Sequence, residues 1–279
     1  MRLPETKLYR KIRYRKGFGV HSPFVYNFIT KVIEEKSSYY AFDEIEKFRS
    51  DLLSRNDSYS IITAKETQSA NYGEFLFRIM NFFKCKNVVQ IGCSTGVMSL
   101  YLTMSSPGKN TCYLLEERSD LLHFIRDFSM AYNLNKIKVL EGDYKINIKK
   151  VCAECNEIDL IFINQLTSAI KTEEIESLCK PLISKTSILI LNDIIKNKQM
   201  KKLWVKVKNN PESRICLDLY SLGIVFFDNK LPKKNYKVYF NYGKKQNIHK
   251  NRRRGIYFSG WREKSIKNKS PYRGIRNSR

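Results

Sequence analysis

A chain of 279 residues, 42% hydrophobic and 13% aromatic, has room for one large domain with appendages and is too apolar to be wholly disordered. Its longest apolar runs, such as 188–191 and 224–227, fall far short of the ~20 residues of a membrane helix. No secretory leader is evident and the seven cysteines follow no small-scaffold spacing, so a cytoplasmic protein with reduced thiols is expected, its formal charge of +24 gathered at the two ends.

Residues 1–22 hold seven Lys/Arg against one acid, a net of +6, and open an expected first region, 1–70, of basic segment and helical cap. Ser22-Pro23 has the form of an N-cap with proline in the first turn, and Phe24, Val25, Phe28, Ile29 and Val32 follow at helical spacing. A second helix is predicted from 42 to about 53. Asn71 is a candidate cap for a third, whose apolar face is Phe75, Leu76, Ile79, Met80 and Phe83. A second region, 71–243, then alternates short apolar runs with helices. Runs at 87–91, 111–115, 138–140, 158–163 and 188–191 read as strands buried on both faces, with helices predicted over 97–104, 119–133, 173–182 and 199–208. Such alternation implies a parallel sheet covered on both sides. Segments 214–218, 223–227 and 236–242 are strand-like, with no helix between the first two, so an antiparallel hairpin is expected to finish the sheet.

Residues 230–279 hold seventeen Lys/Arg and one acid, Glu263, a net of +16, which leaves +2 for residues 23–229. In the third region, 244–279, Arg252, Arg253 and Arg254 are followed by Tyr257, Phe258, Trp261, Arg262, Tyr272 and Arg273. Guanidinium planes interleaved with rings suit contact with the unpaired bases of RNA, and the segment is expected to lack a core of its own.

The most specific motif joins the first strand to its helix. Val88-Val89-Gln90-Ile91-Gly92-Cys93-Ser94-Thr95-Gly96 is a buried strand and a glycine loop opening a helix. Glycines let backbone amides approach a ligand, and the helix N-terminus favours its negative or polar end. Glu116 ends the second strand, where a carboxylate can grip both ribose hydroxyls of an adenosine. Asp143, after the third strand, is placed to hydrogen-bond an adenine amino group. The spacing G-x-x-x-G lacks the G-x-G-x-x-G of a dinucleotide site, so it suits a single nucleoside with an amino-acid arm better than a nicotinamide cofactor. The opposing reading is a tight strand–helix turn with Glu116 as a solvated loop acid.

This register resembles that of class I S-adenosylmethionine-dependent methyltransferases, and more closely a bacterial group of them typical of Bacteroidetes. The resemblance is carried by Gly19-Val20-His21-Ser22-Pro23-Phe24-Val25, by Tyr39-Tyr40-Ala41-Phe42 and Ile45-Glu46-Lys47-Phe48-Arg49, and by the glycine loop. It continues through Asn192-Asp193-Ile194, Met200 to Trp204, and Asp218-Leu219-Tyr220 to Gly223-Ile224-Val225-Phe226-Phe227, spanning about residues 17–242. It implies an α/β fold, a Rossmann-like seven-stranded sheet with helices on both faces, with S-adenosyl-L-methionine as cofactor and an unidentified methyl acceptor. It further implies that Gly92, Ser94 and Gly96 line the methionine arm, that Glu116 binds ribose, and that Asp143 lies by the adenine. Gln90, Asn164 and Asn192 carry amides where the family usually has acids. Gln90 can still accept a hydrogen bond from the cofactor's ammonium but adds no charge. One carboxylate and two amides make a poor cage for a hard cation, so no catalytic Mg²⁺ is expected.

Methyl transfer requires alignment of nucleophile, carbon and sulfur, and uptake of a proton from a hydroxyl acceptor. Asn164 and Asp193 are the polar groups nearest the expected acceptor space; Asp193 could orient or deprotonate the acceptor, or cap the following helix. His21 is a candidate base or lid residue, or a structural hydrogen-bonder. His123 is expected exposed, and Trp204 is expected in the core with Leu203 and Val207. Cys152 and Cys155 have the spacing of half a zinc site without a second half, and Cys93 is expected to face the loop. Three functions fit these residues: a methyltransferase whose tail positions an anionic partner; a degenerate cofactor-binding domain acting as an RNA- or ribosome-associated protein; and a nicotinamide oxidoreductase, disfavoured by the loop spacing.

Overall fold

Strands that are apolar at nearly every position need cover on both faces, and the chain supplies it. In the computed structural model, which describes residues 6–55, 57–66, 70–166 and 172–243, five helices precede the sheet: α1 (Lys7–Arg13), α2 (Pro23–Phe28), α3 (Tyr40–Ser54), α4 (Ser58–Glu66) and α5 (Ala70–Phe83). Then follow β1 (Asn87–Ile91), α6 (Val97–Thr103), β2 (Thr111–Glu116), α7 (Leu122–Ala131), β3 (Ile137–Glu141), α8 (Tyr144–Glu154), β4 (Leu160–Ile163), α9 (Thr172–Cys179), β5 (Ile188–Asn192), α10 (Lys198–Asn209), β6 (Ile215–Asp218), β7 (Leu222–Phe226) and β8 (Lys234–Lys237). The basic tail, with the contacts expected of it, lies outside the described residues.

The Ser22-Pro23 start of α2 is as read: the Ser22 hydroxyl accepts from the Val25 amide. The helix then widens into a π turn over Ile29–Ile33. Asn71 does not cap α5, which begins one residue earlier; its side chain donates to the Asn241 carbonyl instead.

Strand order is β3-β2-β1-β4-β5-β7-β6-β8. Strands β1 to β5 are parallel, and β7 runs antiparallel between β5 and β6. The expected hairpin is therefore present, but the sheet has eight strands rather than seven. The eighth forms because 234–237, overlapping the start of the predicted 236–242, pairs along the otherwise bare edge of β6. Side chains alternate between two cores. Val88, Leu114, Phe162 and Ile190 pack with the apolar residues of α2, α3, α5, α6 and α7, while Val89, Leu115, Ile161 and Leu191 pack with those of α8, α9 and α10. The helical cap and the sheet thus share one core, shown by the rings of Phe28 and Phe226 at 5.6 Å. Sequence succession reverses between β1 and β4, which puts a ligand-binding crevice at their C-terminal ends.

The amino-terminal segment is not a free polycation. Arg10 is buried, and its Nη1 donates to the Asp218 carbonyl at 2.9 Å and to Oδ1 at 2.8 Å. With the Tyr239 amide bonded to the Tyr14 carbonyl, this fixes α1 to the end of the sheet.

Candidate functional site

The loop after β1 turns on left-handed backbone: Gly92 at φ 77°, Ser94 at φ 56° and Gly96 at φ 83°. A Cβ on Gly92 would lie 2.2 Å from the Gln165 carbonyl oxygen, and one on Gly96 2.3 Å from the Phe128 ring. Both glycines are needed for close approach of the chain to itself. Residues 92–96 are all buried, and α4 lies over them, with the Thr63 hydroxyl donating to that of Thr95 at 3.1 Å.

Loop amides released from strand pairing need acceptors, and Glu116 provides them. It is 3% exposed; its Oε2 accepts from the Cys93 and Ser94 amides at 2.8 Å each, and its Oε1 from the Arg118 amide at 3.1 Å. A carboxylate has about four acceptor positions, so one remains. The expected reading of Glu116 as a clasp for both ribose hydroxyls is reduced to one hydroxyl in this arrangement.

The three amides standing where acids were expected form one structure. Gln90 Oε1 accepts from the Ser99 hydroxyl at 2.8 Å, and its Nε2 donates to the Gly92 carbonyl at 3.3 Å. Asn164 Nδ2 donates to the same carbonyl at 3.2 Å, while its Oδ1 accepts from Asn192 Nδ2 at 3.0 Å. The Gly92 carbonyl needs donors, which an ionised carboxylate cannot supply. Among the described residues, three buried side-chain atoms in the loop after β1, at the end of β5 and on α5 have no partner: Ser94 Oγ, Asn192 Oδ1 and the Tyr72 hydroxyl. Tyr72 comes from α5, its ring 6.2 Å from that of Phe162 on β4. Burial, then the nearby Tyr242 and Asp193, raise its pKa well above that of a free phenol, so it stays a neutral donor. Each such orphan costs about 1–3 kcal/mol, and those of Ser94 and Asn192, after β1 and at the end of β5, are open to a polar ligand.

No family model and no curated protein matches the chain. Among solved structures it is similar to the SAH-bound methyltransferase PaMTH1 of Podospora anserina, at 14% identity and TM-score 0.54, over 74% of this chain and 96% of that one. It is also similar to a candidate O-methyltransferase from Klebsiella pneumoniae, at 13% identity and TM-score 0.52, over 72% and 94% of the two chains. The fold is the Rossmann-like methyltransferase sheet.

The remaining predicted residues scatter along that sheet. Asp193, half-buried at φ 52°, follows β5 and accepts from the Lys196 amide at 3.2 Å, which closes a turn. Asp143 is exposed and caps α8, accepting from the Lys145 and Ile146 amides. His21 is exposed, and its neighbours Gly19 and Val20 line a cleft at β6 and β8, four strands from β1. Cys93 does not face the crevice. Its thiol lies 3.5 Å from the Leu115 carbonyl, inside the sheet, with its pKa raised by burial and by Glu116. Trp204 is buried with Leu203 and Val207, and His123 is exposed. Among the described residues no three His, Cys, Asp or Glu side chains gather as a metal site, and no helix is long and apolar enough to cross a membrane. Sequence reasoning missed Tyr72 and Thr63. The one available signal for Tyr72 was a lone hydroxyl on the α5 face that otherwise carries Phe75, Leu76 and Ile79.

Proposed function

We propose that this chain binds S-adenosylmethionine over residues 92–96 and transfers its methyl group, without a divalent metal, to an acceptor beside the ends of β4 and β5. The observation that carries this reading is the set of partnerless buried atoms on Ser94, Asn192 and Tyr72. The sheet supports it, since β7 reversed beside β5 departs from the parallel 3-2-1-4-5-6 order of nicotinamide-binding sheets. PaMTH1, which shares this fold, is described as bound to SAH.

When bound, the cofactor supplies an electrophilic methyl group on a sulfonium. The chain's own residues do the rest. Ser94 Oγ and Asn192 Oδ1 hold the amino-acid arm. Gln90 and Asn164 fix the Gly92 carbonyl between them, Gly92 and Gly96 set the loop's bend, and Glu116 offers its last acceptor position to a ribose hydroxyl. Asp143 stands at the head of α8 for the adenine. Asp193 orients the acceptor or takes its proton, with the neutral Tyr72 hydroxyl as a donor nearby. His21, whose neighbours line a cleft at β6 and β8, is given no part in this reading. Thr63 of α4 covers the loop, so α4 must shift to admit the ligand.

A second reading, a degenerate cofactor domain that binds RNA through its basic ends, is favoured by one observation: Glu116 and the loop amides already satisfy one another. Calorimetry with S-adenosylhomocysteine and with NAD, paired with methyl incorporation from labelled cofactor into a cell extract, separates the readings. Binding of S-adenosylhomocysteine alone with incorporation lost in Glu116→Ala supports the first. Absence of S-adenosylhomocysteine binding overturns it, and binding without incorporation leaves the second.

A further inference from the structure

The β8 edge of the sheet carries an opening built quite differently. A cleft of about 440 Å³ lies between residues 13–20, Trp204 and Lys208 of α10, and strands β6 and β8. A neighbouring hollow of about 510 Å³ shares Arg13 and Phe18 with it and adds Arg15 and Lys16. Its ionisable lining is cationic except for the Cys216 thiol, the Tyr14 and Tyr236 phenols and Asp218, whose carboxylate is already bonded to Arg10. Arg13, Lys208 and Lys234 form no ion pair among the described residues. Each lies over a ring instead: Arg13 at 5.8 Å from Phe18, Lys208 at 5.3 Å from Trp204, and Lys234 at 5.4 Å from Tyr236. Phe18 itself is 67% exposed, between Gly17 at φ 68° and Gly19 at φ 76°.

Lysines on an edge strand guard against aggregation, and that accounts for Lys234 and Lys237. It does not account for an apolar ring presented to solvent among unpaired cations, nor for the guanidinium placed over it. We propose that this trough binds single-stranded nucleic acid, with phosphates on Arg13, Lys208 and Lys234 and a base stacked on Phe18. Cations without carboxylate partners attract phosphates, which release counterions on contact. An exposed ring gives an unpaired base a stacking surface that a duplex does not use. Two hollows meeting at Arg13 and Phe18 provide for more than one nucleotide. The proposal stands apart from methyl transfer, and it assigns binding to the sheet edge rather than to residues 244–279 alone.

The test uses the full chain, with fluorescence anisotropy on a short labelled oligouridylate and on an RNA duplex of equal length, and ultraviolet cross-linking with peptide mapping. Phe18→Ala should leave the melting temperature unchanged, weaken single-strand binding about fivefold or more, and leave duplex binding as it was. The double variant Lys208→Ala/Lys234→Ala should weaken both and lower the salt slope by about two. Cross-links should map to the peptide containing Phe18. The proposal is overturned by Phe18→Ala binding the oligomer like the parent, by cross-links confined to 244–279, or by a mononucleotide competing as well as the oligomer.

Discussion

Around residues 92–96 the backbone is buried and its amides close on the chain's own carboxylate, whereas at the β6–β8 edge Arg13 and Lys234 stand in solvent over rings and form no ion pair among the described residues. An unpaired polar atom in the first region is dry and costs about 1–3 kcal/mol. A charge at the second is hydrated, and pairing it would gain at most about 1 kcal/mol. The two regions must therefore be interrogated differently: the crevice answers in stability, the edge in salt dependence and binding.

The largest expected effect is that of Glu116→Ala, which strips the acceptor from two buried amides and should cost about 2–5 kcal/mol in urea denaturation. Glu116→Gln keeps one acceptor and should cost about half as much. A Glu116→Ala protein as stable as its parent would break the contrast, because the loop would then be open to water. Next comes Arg10→Met, which leaves Asp218 without its buried partner. Asp218 is about a fifth exposed, so the loss should fall near the lower end for a broken buried pair, about 3 kcal/mol, again by urea denaturation.

Tyr72→Phe and Ser94→Ala sharpen the contrast by reversing sign. Each removes a partnerless hydroxyl and should stabilise the free protein by about 0.5–1 kcal/mol, read as a higher melting temperature. The same changes should lower S-adenosylhomocysteine affinity in calorimetry. A loss of stability instead would mean the hydroxyls are already satisfied. The last contrast concerns the thiols. Burial pushes Cys216 up to about 11, and Cys85 and Cys179 up to about 12. They stay protonated in the folded chain while an unfolded thiol ionises near pH 8.5. The unfolded state then binds fewer protons, so stability should fall as pH rises from about 8.5 towards 11. Alkylation at pH 8 should reach the half-buried Cys152 and Cys155 before Cys216, and equal rates would show the edge cleft to be deeper than its geometry implies.

Much of the sheet was legible because its strands are apolar at successive positions, and a run such as Val88-Val89-Gln90-Ile91 has no other stable use. The reversed hairpin was legible for the same reason, through the short gap between Asp218 and Gly223. Helix α1 was not. Its charges read as a solvated run, and the partners that make the burial of Arg10 tolerable, Asp218 and the Tyr220 ring, lie more than 200 residues away. Helix α4 was missed because its Ser58-Tyr59-Ser60 start shows no apolar stripe; its place is set by contacts such as Tyr59 on Phe124, with ring centroids 4.9 Å apart. In the candidate site, the glycine loop and the position of Glu116 were readable, but not the closure of one on the other. Gln90, Asn164 and Asn192 each looked like a lost charge. Their common purpose depends on the Gly92 carbonyl, two residues from Gln90 but 72 from Asn164, which Asn192 holds in turn.

That ladder has a polarity. Because Gly92 offers only an oxygen, both amides beside it must present nitrogen, and this fixes which way each side chain is turned. The orientation propagates through Asn164 to Asn192 and ends there in a bare oxygen. Whatever completes the chain must bring a hydrogen. An ammonium or hydroxyl qualifies at Asn192, while a carboxylate or phosphate meets a lone pair there, so this end of the ladder sorts its visitors by proton rather than by size.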